Sequence, residues 1–123
     1  MSAYRKVTYP QRGEVYLTNF DPTLGVEIQK TRPALIVQHD IYNRYGSITI
    51  VAAITSKFEE PLYPTQVLIA APEGGLKTDS VVLLRQIRSV DKQRLVRRLG
   101  SVKPETMQEV DRALLLSLGL AKV

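Results

Sequence analysis

Lys30-Thr31-Arg32-Pro33-Ala34-Leu35-Ile36-Val37 is the stretch from which the rest of the chain can be read. A run of apolar residues starts directly after an Arg-Pro pair. Pro33 has no N–H to give to a ladder, which places it at the first position of a strand. Arg32 then stands at the exit of a loop, held by the strand behind it. The loop before it runs from Thr18 to Thr31. Most connections in compact domains span about 4–6 residues, and a longer one is usually functional or disordered. A cation fixed at the base of a long loop suits an anion better than it suits a core.

Working outward, Gly13 to Leu17 alternates and reads as a first strand, with Ala34 to Val37 as the second. Ile48 to Ile54 is a third, apolar enough to be central. Thr65 to Ile69 is a fourth and Ser80 to Leu84 a fifth. Turn-forming clusters separate them at Tyr42–Gly46, Lys57–Pro64 and Pro72–Gly75. Short strands at this spacing, with no long helix between them, predict a small antiparallel sheet or barrel and not βαβ units. Asp91 can cap a short helical turn, and Leu95 to Val102 can add a sixth strand. Pro104 suits the first position of a helix and Glu105 its first turn. Met107, Val110, Leu114, Leu115 and Leu118 recur at helical spacing, which predicts one apolar face packed on the sheet. Gly119 is a natural stop.

The 123 residues suffice for one domain, 1–123, and are too few for two. The chain holds no cysteine, which excludes disulfides and thiolate metal sites and fits a reducing cytoplasm. The first ten residues lack the apolar region of a secretory signal, and no apolar run approaches the roughly 18–20 residues of a membrane span. The net charge is +5, and between Arg85 and Arg98 six basic residues accompany a single acid, Asp91. Clustered charge of this kind is an electrostatic footprint that fits nucleic acid and equally a solvated polar face.

Two constellations can carry chemistry. If the second and third strands pair as an antiparallel hairpin, the start of one lies near the end of the other. Arg32 and Thr55 then meet at one edge, with Ser56 beside them. A guanidinium offers fixed donors that match phosphate oxygens, and a hydroxyl can add another. The bland alternative is a strand-end threonine and a surface arginine. In Arg85-Gln86-Ile87-Arg88-Ser89 polar and apolar residues alternate, so Gln86 and Arg88 share a face that can read base edges; an ordinary half-buried edge is the other reading. Arg97 and Arg98 are expected outside this groove. His39 is the only histidine and reads as a turn residue, so acid–base catalysis by two imidazoles is excluded. The acids Glu27, Asp40 and Asp91 show no metal-ligand spacing. Gly74-Gly75 reads as a turn and not as a phosphate cradle.

Read together, several segments resemble the MazF/PemK family of toxin endoribonucleases. They are Arg12-Gly13-Glu14-Val15-Tyr16; Phe20-Asp21-Pro22-Thr23 with Gly25 and Glu27; Thr31 to Val37; Asp40-Ile41-Tyr42-Asn43; Ala52-Ala53-Ile54-Thr55; Gln86 to Leu95; and the terminal helix. The resemblance implies a mainly β (α+β) fold, an SH3-like antiparallel β-barrel with a C-terminal α-helix. It also implies a homodimer and metal-independent, cofactor-free cleavage of single-stranded RNA at short sequences. A cognate acidic antitoxin would silence the toxin, with operator DNA bound only through that antitoxin. Arg32 and Thr55 fall on the family's catalytic Arg and Thr. Glu27, Lys30, Ser56, Gln86 and Arg88 are the expected RNA-binding residues, and Glu27 is a candidate to remove the 2′ proton. Val26 departs from the Ser that relatives often carry between the loop Gly and Glu, which removes any RNA contact made by that Ser. Two other readings share the architecture: a CcdB-like toxin that poisons DNA gyrase, and a non-catalytic RNA-binding barrel. The Arg-Pro strand start, together with Ala-Ala-Ile-Thr, favours the nuclease.

Overall fold

The computed structural model describes residues 9–20 and 31–122. The strands are β1 (Glu14–Asn19), β2 (Thr31–Ile36), β3 (Ile48–Thr55), β4 (Gln66–Ile69), β5 (Ser80–Asp91) and β6 (Leu95–Ser101). They form one sheet in the order β4-β5-β3-β2-β1-β6, and every recorded pairing is antiparallel. A short helix α1 (Asp40–Arg44) joins β2 to β3, and α2 (Pro104–Ser117) ends the fold. This is the mainly β architecture with a terminal helix that the strand spacing predicts. Among the described residues no helix is long and apolar enough to cross a membrane.

Alternation along the strands splits the buried side chains between two faces. Val15, Leu35, Ala52, Ile54, Val82 and Leu84 build the main core, which Val110 and Ala113 of α2 cover. Ala34, Ile36, Val51 and Val90 form a smaller cluster, with Tyr16, Phe20 and Leu95 packed against it. Burying a side chain such as Val110 fully contributes roughly 1.5–3 kcal/mol. The helix face is narrower than its spacing predicts. Met107 and Leu114 pack on the core, whereas Leu115 and Leu118 are exposed, because the buried stripe runs through Thr106, Val110 and Ala113.

The two sheet edges are brought together by a 3-10 turn at Glu73–Gly75, which follows edge strand β4 and packs on edge strand β6. Gly75 has φ +75°, and a Cβ there would lie 2.0 Å from the Leu99 carbonyl oxygen. Only a residue without a side chain permits that approach. Glu73 of the same turn also caps α2. Its carboxylate accepts from Lys103 N–H at 2.9 Å and from the Thr106 hydroxyl at 2.6 Å, while the N-cap residue Lys103 makes no side-chain cap of its own. A negative group at the positive end of a helix is favourable.

Three boundaries differ from the sequence reading. β2 starts at Thr31, so Pro33 is its third residue and not its first. At this level β2 pairs with β1 alone, Pro33 facing Leu17, and pairing with β3 begins at Ala34; a residue without an N–H fits where one flank is unpaired. Thr18, expected in the loop, is fully buried in β1 opposite Arg32. The fifth strand does not end at Leu84 but continues to Asp91 through a bulge. Asp91 does cap a 3-10 turn, its carboxylate accepting from Gln93 N–H at 2.8 Å. His39 caps α1 through Nδ1, which accepts from Ile41 N–H at 3.0 Å.

Candidate active site

Arg32 is the second residue of β2 and Thr55 the last of β3. The two strands pair with Ala34 opposite Ala53. Extending that register by two residues sets Arg32 opposite Thr55, and both line the same two hollows on the protein surface. The Thr55 hydroxyl accepts from Lys57 N–H at 3.0 Å and lies 3.3 Å from the Lys57 carbonyl. That turn fixes the oxygen yet leaves one lone pair, and a weakly held proton, for another partner. The Arg32 residue is exposed, and its side chain has no hydrogen-bond or ion-pair partner among the described residues.

Arg32, Thr55 and Lys57 form a ridge between the hollows. The first has a volume of about 390 Å³ and an apolar floor that includes Leu17, Pro33 and Leu99. Ser56, Lys77 and Arg97 stand around it. The second, about 520 Å³, is lined by Phe20, Gln86 and Arg88. Arg88 lies over the Phe20 ring, its guanidinium carbon 5.3 Å from the centroid, a cation–π distance. No carboxylate is among the described residues that line either hollow. One sign of charge on low-dielectric walls focuses potential on the cleft and draws in anions.

Of the residues singled out from sequence, Arg32, Thr55, Ser56, Gln86 and Arg88 are gathered here. Glu27 and Lys30 lie outside the described residues. One expectation is overturned: Arg97 is not outside the groove but lines the first hollow. It faces Leu17 across β6–β1, and Leu17 faces Pro33 across β1–β2, so a cross-strand row carries it towards Arg32. Arg98, one residue on, faces the other way and pairs with Glu14 at 2.7 Å. Lys57, Lys77 and Phe20 were also missed. Lys57 follows Thr55 by two residues, a signal within reach; Lys77 is brought in by the sheet closure at Gly75. The Gly74-Gly75 segment is a turn, as expected, although Gly75 also borders the first hollow.

Residues 11–118 match the family of PemK-like, MazF-like toxins of type II toxin-antitoxin systems. The chain belongs to this family. The Bacillus subtilis endoribonuclease EndoA is 44% identical to it over 110 residues, which cover 89% of this chain and 95% of that protein. Among solved structures, an endoribonuclease in complex with its cognate antitoxin from a mycobacterial species superposes with TM-score 0.75 at 29% identity, over 93% of this chain and 99% of that one. The MazE–MazF complex of Deinococcus radiodurans gives TM-score 0.76 at 29% identity, over 92% of this chain and 98% of that one. As a MazF-like toxin, the chain has its matched segment running through Arg32, Thr55, Gln86, Arg88 and Arg97 alike.

Proposed function

We propose that this endoribonuclease toxin cleaves single-stranded RNA by attack of the neighbouring 2′-hydroxyl, without a metal ion. The 2′ oxygen bonds to phosphorus as the P–O5′ bond breaks, leaving a 2′,3′-cyclic phosphate and a 5′-hydroxyl. The nucleophile belongs to the substrate, so the protein has to align it and to offset the charge that builds on the phosphoryl oxygens. Arg32 offers a planar fork of donors to those oxygens, and Thr55 a hydroxyl beside it. Glu27 is the candidate to take the 2′ proton. Arg32 donates a hydrogen bond to the departing O5′, which takes its proton from water, and the proton removed from the 2′ oxygen neutralises the hydroxide left behind; Arg32 cannot be the base, since a guanidinium stays protonated in proteins. The observation that carries this reading is the position of Arg32 and Thr55 opposite one another on a ridge whose flanks hold cations and no described carboxylate.

Gln86 and Arg88 contact the RNA on one side of the ridge and Ser56 on the other, and Glu27 and Lys30 are the further RNA-binding residues. The same cation-lined hollows suit an acidic segment of a cognate antitoxin that competes with RNA. The proposed setting is a cytoplasmic homodimer that contacts operator DNA only through the antitoxin.

The test is single-turnover cleavage of a short mixed-sequence RNA in EDTA, with binding measured separately. The expected result is full activity in EDTA, the stated product ends, and a rate for Arg32→Ala reduced far more than its RNA affinity. Activity that vanishes in EDTA, or near wild-type cleavage by Arg32→Ala, would overturn the mechanism. Intact RNA with the wild-type protein would return the gyrase-poison reading.

A further inference from the structure

A third hollow adjoins the second. Its volume is about 280 Å³, and it is lined by Tyr63, Thr65, Gln66, Leu83, Arg85 and Gln86. It shares Leu83 and Gln86 with the hollow of Phe20 and Arg88, so the two run into each other along β5. We propose that this third hollow is the recognition subsite for one unstacked base of the RNA, with Tyr63 as the stacking platform and Arg85 and Gln86 as the polar contacts. The proposal rests on the reading of the chain as an RNA-cleaving enzyme and names a specificity-determining part of the same groove.

Tyr63 is 70% exposed, a large aromatic surface that the core does not use. Its backbone, by contrast, is held firmly. Tyr63 N–H donates to Gln66 Oε1 at 2.9 Å, and Gln66 N–H donates back to the Tyr63 carbonyl at 2.9 Å. Two residues on, the Thr65 carbonyl accepts from Leu84 N–H at 3.0 Å, which pins this turn to β5. A ring presented by a fixed turn loses little freedom when a base stacks on it. Other exposed tyrosines sit elsewhere: Tyr42 and Tyr45 belong to α1 and its C-cap, beyond the far end of the β2–β3 pair.

The second observation is in β5. Neighbouring residues of a regular strand point to opposite faces, yet Arg85 and Gln86 both line this hollow. The cause is the bulge. Ala52 pairs with Ile87 and the next residue, Ala53, pairs with Leu83, so Leu84, Arg85 and Gln86 have no partner on β3. Bulges re-aim side chains and recur next to active sites. Here the extra residues turn a cation and an amide into one hollow that has Leu83 and Tyr63 for apolar walls. An apolar shelf with a few convergent polar groups is the usual form of a site that reads a splayed base: stacking supplies affinity, and edge hydrogen bonds supply identity.

The experiment uses the full chain and a short RNA made uncleavable by 2′-O-methylation, with a single abasic residue walked through it. Tyr63→Ala should weaken binding of the intact RNA about ten-fold, the size expected for one lost base–aromatic stack. Tyr63→Phe should bind like wild type. At one abasic position wild type and Tyr63→Ala should bind equally. A 2-aminopurine placed there should be quenched on binding by wild type and Tyr63→Phe and not by Tyr63→Ala. On cleavable RNA the loss should fall on KM, with kcat unchanged. An affinity unchanged in Tyr63→Ala overturns the proposal, as does an equal loss at every abasic position, the mark of a general structural effect. So does a loss confined to self-association or to binding of an acidic peptide. Failure of the wild-type protein to cleave RNA removes the parent reading as well, whereas cleavage with an indifferent Tyr63 removes the subsite alone.

Discussion

Polar side chains gather at both ends of the β2–β3 pair, and the two ends follow opposite plans. At the α1 end they are saturated. Asn43, fully buried, donates to the Gln38 carbonyl at 2.9 Å and to Asp40 Oδ1 at 3.2 Å. Its oxygen accepts from the Thr49 hydroxyl at 2.6 Å and from Gln38 Nε2 at 3.0 Å, and Lys92 Nζ donates to the carbonyls of Asn43 and Gly46. At the Arg32 end the side chains of Arg32, Lys57, Lys77 and Arg97 crowd one hollow with no hydrogen-bond or ion-pair partner among the described residues. Buried polar groups that find every partner hold a fold together. Cations gathered without a counter-charge cost stability through mutual repulsion, and an arriving anion relieves it. The same pair of strands therefore carries one end with its polar groups satisfied and one end, the proposed active site, with its cations left open to a ligand.

The contrast breaks most visibly at Arg32. Arg32→Ala should leave the denaturation midpoint unchanged while lowering the single-turnover cleavage rate by roughly 10²–10³, the loss typical of one preorganised donor. Arg32→Lys should rescue poorly, because an ammonium keeps the charge and loses the planar fork. Thr55→Ala should move the rate in the same direction by less, about 1.5–3 kcal/mol for one hydrogen bond to a charged group. Asn43→Ala should do the reverse. Urea denaturation should show about 1–3 kcal/mol of lost stability, from partners left unsatisfied, with the cleavage rate of the folded fraction unchanged.

A finer cut separates two adjacent arginines. Arg97→Gln should reduce the salt dependence of RNA binding by about 0.7 in the log–log slope, one phosphate contact on a single strand. Arg98→Gln should leave that slope alone and cost only about 0–1 kcal/mol of stability, as expected for an exposed ion pair. The smallest effect concerns Tyr16 on β1. Burial first, and then the neighbouring Glu14 carboxylate, raises its pKa above the usual 10.0, with Arg98 partly opposing. A group whose pKa is raised on folding contributes stability that is complete below the unfolded value and is lost as pH rises through the folded value. Tyr16→Phe should therefore flatten the fall in stability on the alkaline side of pH 10, beside a pH-independent loss at neutral pH from the missing hydroxyl bond to Glu14. Ultraviolet titration of the phenolates beside a denaturation series checks it.

The meeting of Arg32 with Thr55 was legible because a hairpin obeys simple counting: two strands joined by a short connection must pair antiparallel, and the register follows. Gln86 and Arg88 were legible from the period of two. Arg97 was not, because nothing local distinguishes it from Arg98, and only the pairing of β6 with β1 decides which of them faces the groove. Arg85 was not singled out, and a period of two does not foresee its place beside Gln86, because that follows from a bulge that strand-level patterning does not reveal. Leu115 and Leu118 fit a helical stripe as well as Met107 and Leu114 do, but the face of α2 that is buried runs through Thr106, Val110 and Ala113 and leaves them outside. The cap that Glu73 gives to α2 spans 30 residues or more, beyond any local motif.

By itself the sequence determined the elements that rest on short-range backbone geometry. These are the alternating strands, the Asp91 turn, and the Pro104 start and Gly119 stop of the helix. Each follows from the conformational preference of a few neighbouring residues, which the chain carries wherever it goes. Tertiary structure alone decided the strand order, the closure of β4's turn on β6 at Gly75, and hence the arrival of Lys77 and Arg97 beside Arg32. Those depend on packing between segments far apart in the chain, where one missing Cβ or one bulge redirects a side chain, and no local preference records where it will point.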